Sequence, residues 1–272
     1  MPELPEVYTI TKNLEKILPN SVLTNIEIFE EYKSIPFLKD FDSIKNLPVK
    51  NVSRISKYIL INFGEHTLQV HLGMTGRIRY SKVKENFGWD KIRFEFINSH
   101  NEKFFINFTD TRKFGKVKIL KNVSINTGYE PLLDVTEKIE EIAKKISIKN
   151  TEIKNILLDQ KVISGLGNIY SNDTLFHSKT NPKIKGKELT IEKIKSIISS
   201  AKIVLEKGIE KGGSSLKDKM YSDIFGNYGT YQDNFLIYER KNCIDCNAPI
   251  NKIYIKGRST YYCPNCQPDN LY

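Results

Sequence analysis

From about residue 22 to 120 apolar side chains recur at every second position, and over residues 7–18 and about 134–210 they recur every three or four. A period of two places side chains alternately on the two faces of a strand, whereas a period near 3.6 paints one stripe along a helix. No single element carries both patterns, so the change of period predicts a mixed α+β chain of more than one part. Ile55, Ile59, Ile61 and Phe63 alternate along one segment, and Leu68, Val70 and Leu72 along the next. Ile92, Phe94 and Phe96, then Phe104, Ile106 and Phe108, repeat the pattern. Short alternating strands separated by polar turns predict a β-sandwich or barrel.

Helical periods flank this region. Val7, Ile10, Leu14, Ile17 and Leu18 mark an N-terminal helix that Pro5 can open and Pro19-Asn20 stops. Beyond Pro131, Ile139, Ile142 and Ile146 suit one helix, and Ile153, Ile156 and Leu157 a second. The run from Ile191 to Leu205 predicts a long amphipathic helix. The polar, glycine-containing stretch KGGSSLKDKMYSDIFGNYG has no period and reads as a long loop, a class that is often functional. The expected divisions are 1–133 for the sandwich with its leading helix, 134–234 for the helical part with this loop, and 235–272 for a cysteine module.

That module holds all four cysteines, as CIDC, sixteen intervening residues, then CPNC. Two C-x2-C pairs at this separation match a zinc ribbon, with Cys243, Cys246, Cys263 and Cys266 as four thiolate ligands of one structural zinc ion. Two disulfides or an iron–sulfur centre are the rival uses of such a set. Between the pairs, NKIYIKGRSTYYC alternates around Gly257 and predicts a hairpin presenting Lys256 and Arg258, where phosphate binding competes with a merely solvated charge.

With 39% apolar and 11% aromatic residues the chain is a folded protein, and no apolar run approaches the roughly 18 residues a membrane span needs. The N-terminus lacks the pattern of a signal peptide, so a cytoplasmic protein is expected. Forty-two Lys+Arg against 32 Asp+Glu leave a net charge of +10, which favours polyanionic partners, although a generally lysine-rich composition gives the same number.

Several smaller features are ambiguous when read one at a time. In SRISKYILINF (53–63), strict alternation places Lys57 among Ile55, Ile59, Ile61 and Phe63. Such a lysine either snorkels to water from a strand end or sits partly desolvated, where its pKa falls. VISGLGNIY, HLGMTG (71–76) and DTRKFG (110–115) are glycine turns of the kind that join many elements.

Their order along the chain is more specific. MPELPE, SKYIL, HLGMTG, DTRKFG, LLDQKVISGLGNIY and a GR-x-T-x-Y-C finger follow one another from the first residue to the last thirty. The chain resembles the formamidopyrimidine-DNA glycosylase/endonuclease VIII family over essentially its whole length, and the leucine of MPELPE with HLGMTG resembles the formamidopyrimidine-DNA glycosylase branch. The resemblance implies a β-sandwich domain, a helix–two-turn–helix domain and a zinc finger, with DNA bound in the cleft between the domains. It implies a bifunctional enzyme that removes oxidised purines (8-oxoguanine and formamidopyrimidines) and then nicks the strand by β,δ-elimination.

Carried over residue by residue, the resemblance makes Pro2 the nucleophile once Met1 is removed, because a free α-amine of pKa about 7.7–8.0 is partly uncharged at neutral pH. Glu3 becomes the adjacent acid. Glu6, at i+3, either supports the same site or favours the helix N-terminus. Lys57 matches a cleft lysine that contacts phosphate and moves protons, and Arg258 a finger arginine on the phosphate beside the lesion. Met74, Arg112 and Phe114 match the trio that fills the gap left by a flipped nucleotide. Lys149, Lys154 and Asn168 match phosphate contacts of the helical domain, and GGSSLKDKMYSDIFGNYG the segment closing over the extruded base.

Some positions depart from the family pattern. Trp89 stands where a DNA-contacting histidine is usual, Thr111 and Lys113 where proline and arginine are, and SND (171–173) replaces an acidic pair. The implied partner is double-stranded DNA with oxidised bases or abasic sites, bound by a monomer associated with the nucleoid; no organic cofactor and no membrane are expected. An endonuclease VIII-like preference for oxidised pyrimidines and a non-catalytic zinc-finger DNA-binding protein are the rival functions.

Overall fold

A computed structural model describes residues 2–30, 33–133, 136–216 and 220–269. Contacts divide the chain into two compact units, Met1–Ile125 with Lys211–Thr230, and Asn126–Glu210 with Tyr231–Tyr272.

The first unit is a helix-led β-sandwich. Helix α1 (Leu4–Ile17) has Pro5 in its first turn, where a missing N–H leaves no bond unmade, and it ends just before Pro19, with Asn20 in the left-handed region at φ 67°. Its stripe of Val7, Ile10 and Leu14 is buried and enters the sandwich core. Each such side chain contributes about 1.5–3 kcal/mol by leaving water.

The strands are β1 (Val22–Ile28), β2 (Asn51–Ile55), β3 (Tyr58–Asn62), β4 (Thr67–His71), β5 (Arg77–Ser81), β6 (Asp90–Ile97), β7 (Lys103–Thr109) and β8 (Lys116–Leu120). They form two antiparallel sheets in the orders β1-β6-β7-β5 and β2-β3-β4-β8. Their inward faces, with Ile59, Ile61, Leu68 and Val70 from one sheet and Ile92, Phe94, Phe96 and Phe108 from the other, share one core. Tyr221 and Ile224, from the distant segment 211–230, belong to that core as well. The amide of Tyr80 on edge strand β5 donates to the carbonyl of Ile224 at 2.9 Å, so this segment caps a sheet edge.

One sequence-based expectation is corrected here. Residues 53–63 are two strands, not one: Ile55 pairs with Tyr58 across a two-residue turn, Ser56-Lys57. Paired residues face the same side, so Ile55 shares a face with Tyr58 and Leu60, while Ile59 and Ile61 face with Val52 and Arg54. The alternation counted through position 57 was therefore fortuitous. The turn holds Ser56 at φ 53°, a conformation that carries no Asn-Gly or Gly signature in this sequence.

In the second unit α2 (Thr136–Ser147), α4 (Asn168–His177) and α5 (Ile191–Glu210) pack together, and α3 (Ile153–Leu158) leads through two turns into α4. Gln160 holds those turns: its amide donates to the Leu166 carbonyl at 2.8 Å, and its oxygen accepts from Gly165 at 3.0 Å. Strands β9 (Asn251–Ile255) and β10 (Arg258–Tyr262) form the finger hairpin. Its turn, Lys256-Gly257, takes positive φ at both positions (43° and 74°), which suits the tight hairpin turn matching strand twist. No helix among the described residues is long and apolar enough to cross a membrane.

Candidate functional site

In the first unit the N-terminal residues are held, not frayed. Pro2 and Glu3 are buried, and Glu3 is the residue from which α1 starts. The Glu3 amide donates to Glu6 Oε2 at 2.7 Å, and the other Glu6 oxygen accepts the Ser214 amide at 2.7 Å and its hydroxyl at 3.2 Å. Tyr221 adds a bond from its hydroxyl to the Gly212 carbonyl at 2.9 Å. Glu6 is 2% exposed and joins the residue next to Pro2 to the start of the segment expected to act as a lid. That role was invisible in sequence, since 208 residues separate the partners. Met1, whose removal the nucleophile reading requires, and Lys217–Lys219 of the lid lie outside the described residues.

Lys57 occupies the β2–β3 turn and is nonetheless 6% exposed. His71, which sequence reasoning did not single out, feels it: burial first, then the charges of Lys57 and Lys116, lower the imidazole pKa to about 4. The ring is thus neutral, and its Nδ1 accepts the Gly73 amide at 3.2 Å, which places the proton on Nε2.

The two turns read as ambiguous in sequence lie against each other. A Cβ on Gly73, itself at φ 62°, would meet the Phe114 carbonyl carbon at 2.5 Å, so backbone packs directly on backbone. Met74 is half-buried, and Arg112 and Phe114 are exposed, the latter by 50%. The guanidinium lies 5.0 Å from the Phe114 ring centroid. Trp89 is 67% exposed at φ 59°.

The second unit treats its expected phosphate ligands differently. Lys154 is fully buried, and its ammonium donates to Ser171 Oγ at 2.6 Å and the Asn168 carbonyl at 3.1 Å, tying α3 to the first turn of α4. Asn168 turns its Nδ2 to the Ser259 carbonyl and hydroxyl of the finger, at 3.0 and 3.1 Å. Lys149 and Lys256 line one open hollow of about 310 Å³ together with Asn155 and Asp159. Arg258 begins β10 and is exposed.

The SND triplet explains how the finger is mounted. Ser171 takes Lys154; Asn172 Oδ1 accepts the Tyr261 amide at 2.9 Å; and Asp173 is fully buried. The Asp173 carboxylate accepts the Tyr231 hydroxyl and the amides of Leu236, Ile237 and Tyr238 at 2.9–3.2 Å, fixing the strap that leads into the finger. Burial pushes its pKa up, opposed by these donors.

The four cysteine sulfurs lie within 4.8 Å of one another, with Cys243–Cys266 at 3.8 Å and Cys246–Cys263 at 3.4 Å. A tetrahedral metal with sulfur ligands at about 2.3 Å has edges of about 3.8 Å, so the set fits one four-coordinate ion. Backbone amides of Asp245 and Cys266 point at Cys243 and Cys263 sulfurs, each at 3.4 Å, as they do where thiolate charge is shared.

Comparison with known proteins fits this arrangement. Residues 1–117 match the formamidopyrimidine-DNA glycosylase N-terminal domain and residues 127–220 the formamidopyrimidine-DNA glycosylase H2TH domain. The formamidopyrimidine-DNA glycosylase of Rickettsia bellii is 37% identical over 98% of this chain and 99% of its own. The chain belongs to the formamidopyrimidine-DNA glycosylase family. The Rickettsia felis member is 36% identical, with 98% of each chain covered. Among solved family structures, Lactococcus lactis Fpg in complex with DNA containing an abasic site superposes with a TM-score of 0.87 at 27% identity, over 98% of this chain and 100% of that one. The Thermus thermophilus family member gives 0.87 at 26%, over 99% and 100%.

Proposed function

We propose that this chain is a bifunctional DNA glycosylase and AP lyase of base-excision repair, acting on oxidised purines in duplex DNA. The observation that carries the reading is a buried Pro2–Glu3 pair at the mouth of a rigid helix in a chain of this family. After loss of Met1 the proline nitrogen attacks C1′ of the damaged nucleotide, and the glycosidic bond breaks with its electron pair on the base. Glu3 supplies the proton that the sugar oxygen or leaving base needs. The C1′–O4′ bond then breaks with its electron pair on the protonated ring oxygen, leaving an open-chain iminium. This acidifies the 2′ hydrogen, which leaves as a proton while the C3′–O bond breaks with its pair on the phosphate. Loss of the 4′ proton then expels the 5′ phosphate. Lys57 takes part in that proton traffic and contacts phosphate; Arg258 assists departure of the second phosphate.

A base inside a duplex is out of reach of this amine, so the nucleotide is flipped. Met74, Arg112 and Phe114 fill the gap, while Lys149, Lys154, Asn168 and the +10 charge favour the backbone. For Lys154 and Asn168 this role passes through the elements they brace. Working divisions at 1–133, 134–234 and 235–272 separate these tasks along the sequence, although residues 211–230 fold with the first unit. Zinc is the ion of the finger, whose closed four-sulfur set stabilises the fold and leaves no position for chemistry. A monomer of the bacterial cytoplasm, near the nucleoid, completes the reading.

Borohydride trapping on lesion-containing DNA tests it. The expected result is a covalent adduct with the wild type and much weaker trapping with Pro2→Gly, whose N-terminal primary amine can still condense; equal trapping by both, or none by the wild type, sinks the mechanism. Excision of 8-oxoguanine opposite cytosine should exceed that of thymine glycol, and the reverse order would favour the pyrimidine-directed alternative.

A further inference from the structure

We infer that Asp110, acting with Thr75, is a positioning residue that joins the loop carrying Met74 to the loop carrying Arg112 and Phe114 into one rigid wedge. The inference rests on the lesion-excision reading and concerns how the gap-filling side chains are aimed. Asp110 is 1% exposed and Thr75 8%. One carboxylate oxygen of Asp110 accepts the Thr75 hydroxyl at 2.5 Å and the Arg112 amide at 3.1 Å; the other accepts the Gly115 amide at 2.7 Å. Thr75 Oγ1 in turn accepts the Arg112 amide at 3.2 Å. The Asp110 amide is held by the Trp89 carbonyl at 3.0 Å. A single buried carboxylate thus closes its own loop at both ends and reaches into the neighbouring one.

The geometry bears on recognition because the three filling side chains stand on two loops. Two independent mobile loops would each lose conformational freedom on entering the base stack, and a preformed wedge avoids that loss. The absence of a Cβ at Gly73, where one would meet the Phe114 backbone, lets the two loops pack closely and supplies shape, and the Asp110–Thr75 bond supplies the lock.

Asp110→Asn keeps the size of the side chain but turns one acceptor into a donor facing another N–H. Thr75→Val removes the hydroxyl at constant shape, and Thr75→Ser restores it. With a lesion duplex carrying 2-aminopurine beside the orphaned base, Asp110→Asn and Thr75→Val should lose most of the fluorescence rise on insertion. Their single-turnover excision should fall about tenfold or more, the scale of one orphaned buried donor. Strand cleavage at an abasic site in single-stranded DNA should stay within about twofold, because no stack is opened there. Thr75→Ser should behave as wild type. Should Asp110→Asn fail to fold, the Thr75 pair decides. Wild-type insertion and excision in Thr75→Val, or equal defects in Thr75→Ser and Thr75→Val, overturn the inference and leave the enzymatic reading standing. A wild type that neither excises nor cleaves overturns both.

Discussion

Glu6 offers the sharpest stability experiment, because its two carboxylate oxygens serve two backbone amides that lie 211 residues apart. Glu6→Gln changes no volume but leaves a single acceptor for the amides of Glu3 and Ser214, both at 2.7 Å. One of them must then face an NH2 group inside a site that is 2% exposed. An orphaned buried donor costs about 1–3 kcal/mol, and weakening the surviving charge-assisted bond adds about 1 kcal/mol, for a central loss of about 3 kcal/mol. For a unit of this size that corresponds to a fall in Tm of about 6–12 °C. Urea denaturation read by hydrogen exchange at the sandwich strands β3, β4, β6 and β7 follows the first unit directly. Hydrogen exchange should show a matching loss of protection at Ser214. A variant within about 0.5 kcal/mol of wild type, the range of an ordinary surface change, would refute the bridging role.

Three further outcomes are expected. Cys243→Ser should release one equivalent of zinc by metal analysis and abolish DNA affinity while the first unit keeps its urea midpoint; retained affinity would contradict the finger assignment. His71, neutral in the fold with a pKa lowered to about 4, binds its proton more readily unfolded, near 6.5. Stability is therefore complete above pH 6.5 and declines as pH falls toward 4, by about 3 kcal/mol, and His71→Gln should flatten that slope in pH-dependent denaturation. Asp173→Ala should leave the Tyr231 hydroxyl and three strap amides without their acceptor and cost about 3 kcal/mol or more; an unchanged melting curve would show that the strap is held by other contacts.

What the sequence disclosed depended on how local each signal was. Val7, Ile10 and Leu14, the alternation of β4, β6 and β7, and the paired cysteines are short-range patterns, and each led to the observed element. The Ser56-Lys57 turn escaped because neither residue signals a positive φ, and two turn residues preserve the count while exchanging the faces. Lys154 reads as a surface cation in isolation, yet Ser171 and Asn168 draw its ammonium inward. Glu6, Asp110 and Asp173 owe their roles to partners 208, 35 and 58–65 positions away, a distance at which no periodicity carries information.

The excursion of residues 211–230 back into the first unit has a consequence for biosynthesis. Tyr221 and Ile224 are core residues of the sandwich, and Ile224 seals the β5 edge, yet they are made about a hundred residues after β8. A nascent chain that has emerged only through β8 exposes an open strand and an unfilled core until the whole of α2 to α5 has followed it. The sandwich should therefore complete its folding late in translation, and a fragment ending at Ile125 should aggregate where the full chain does not.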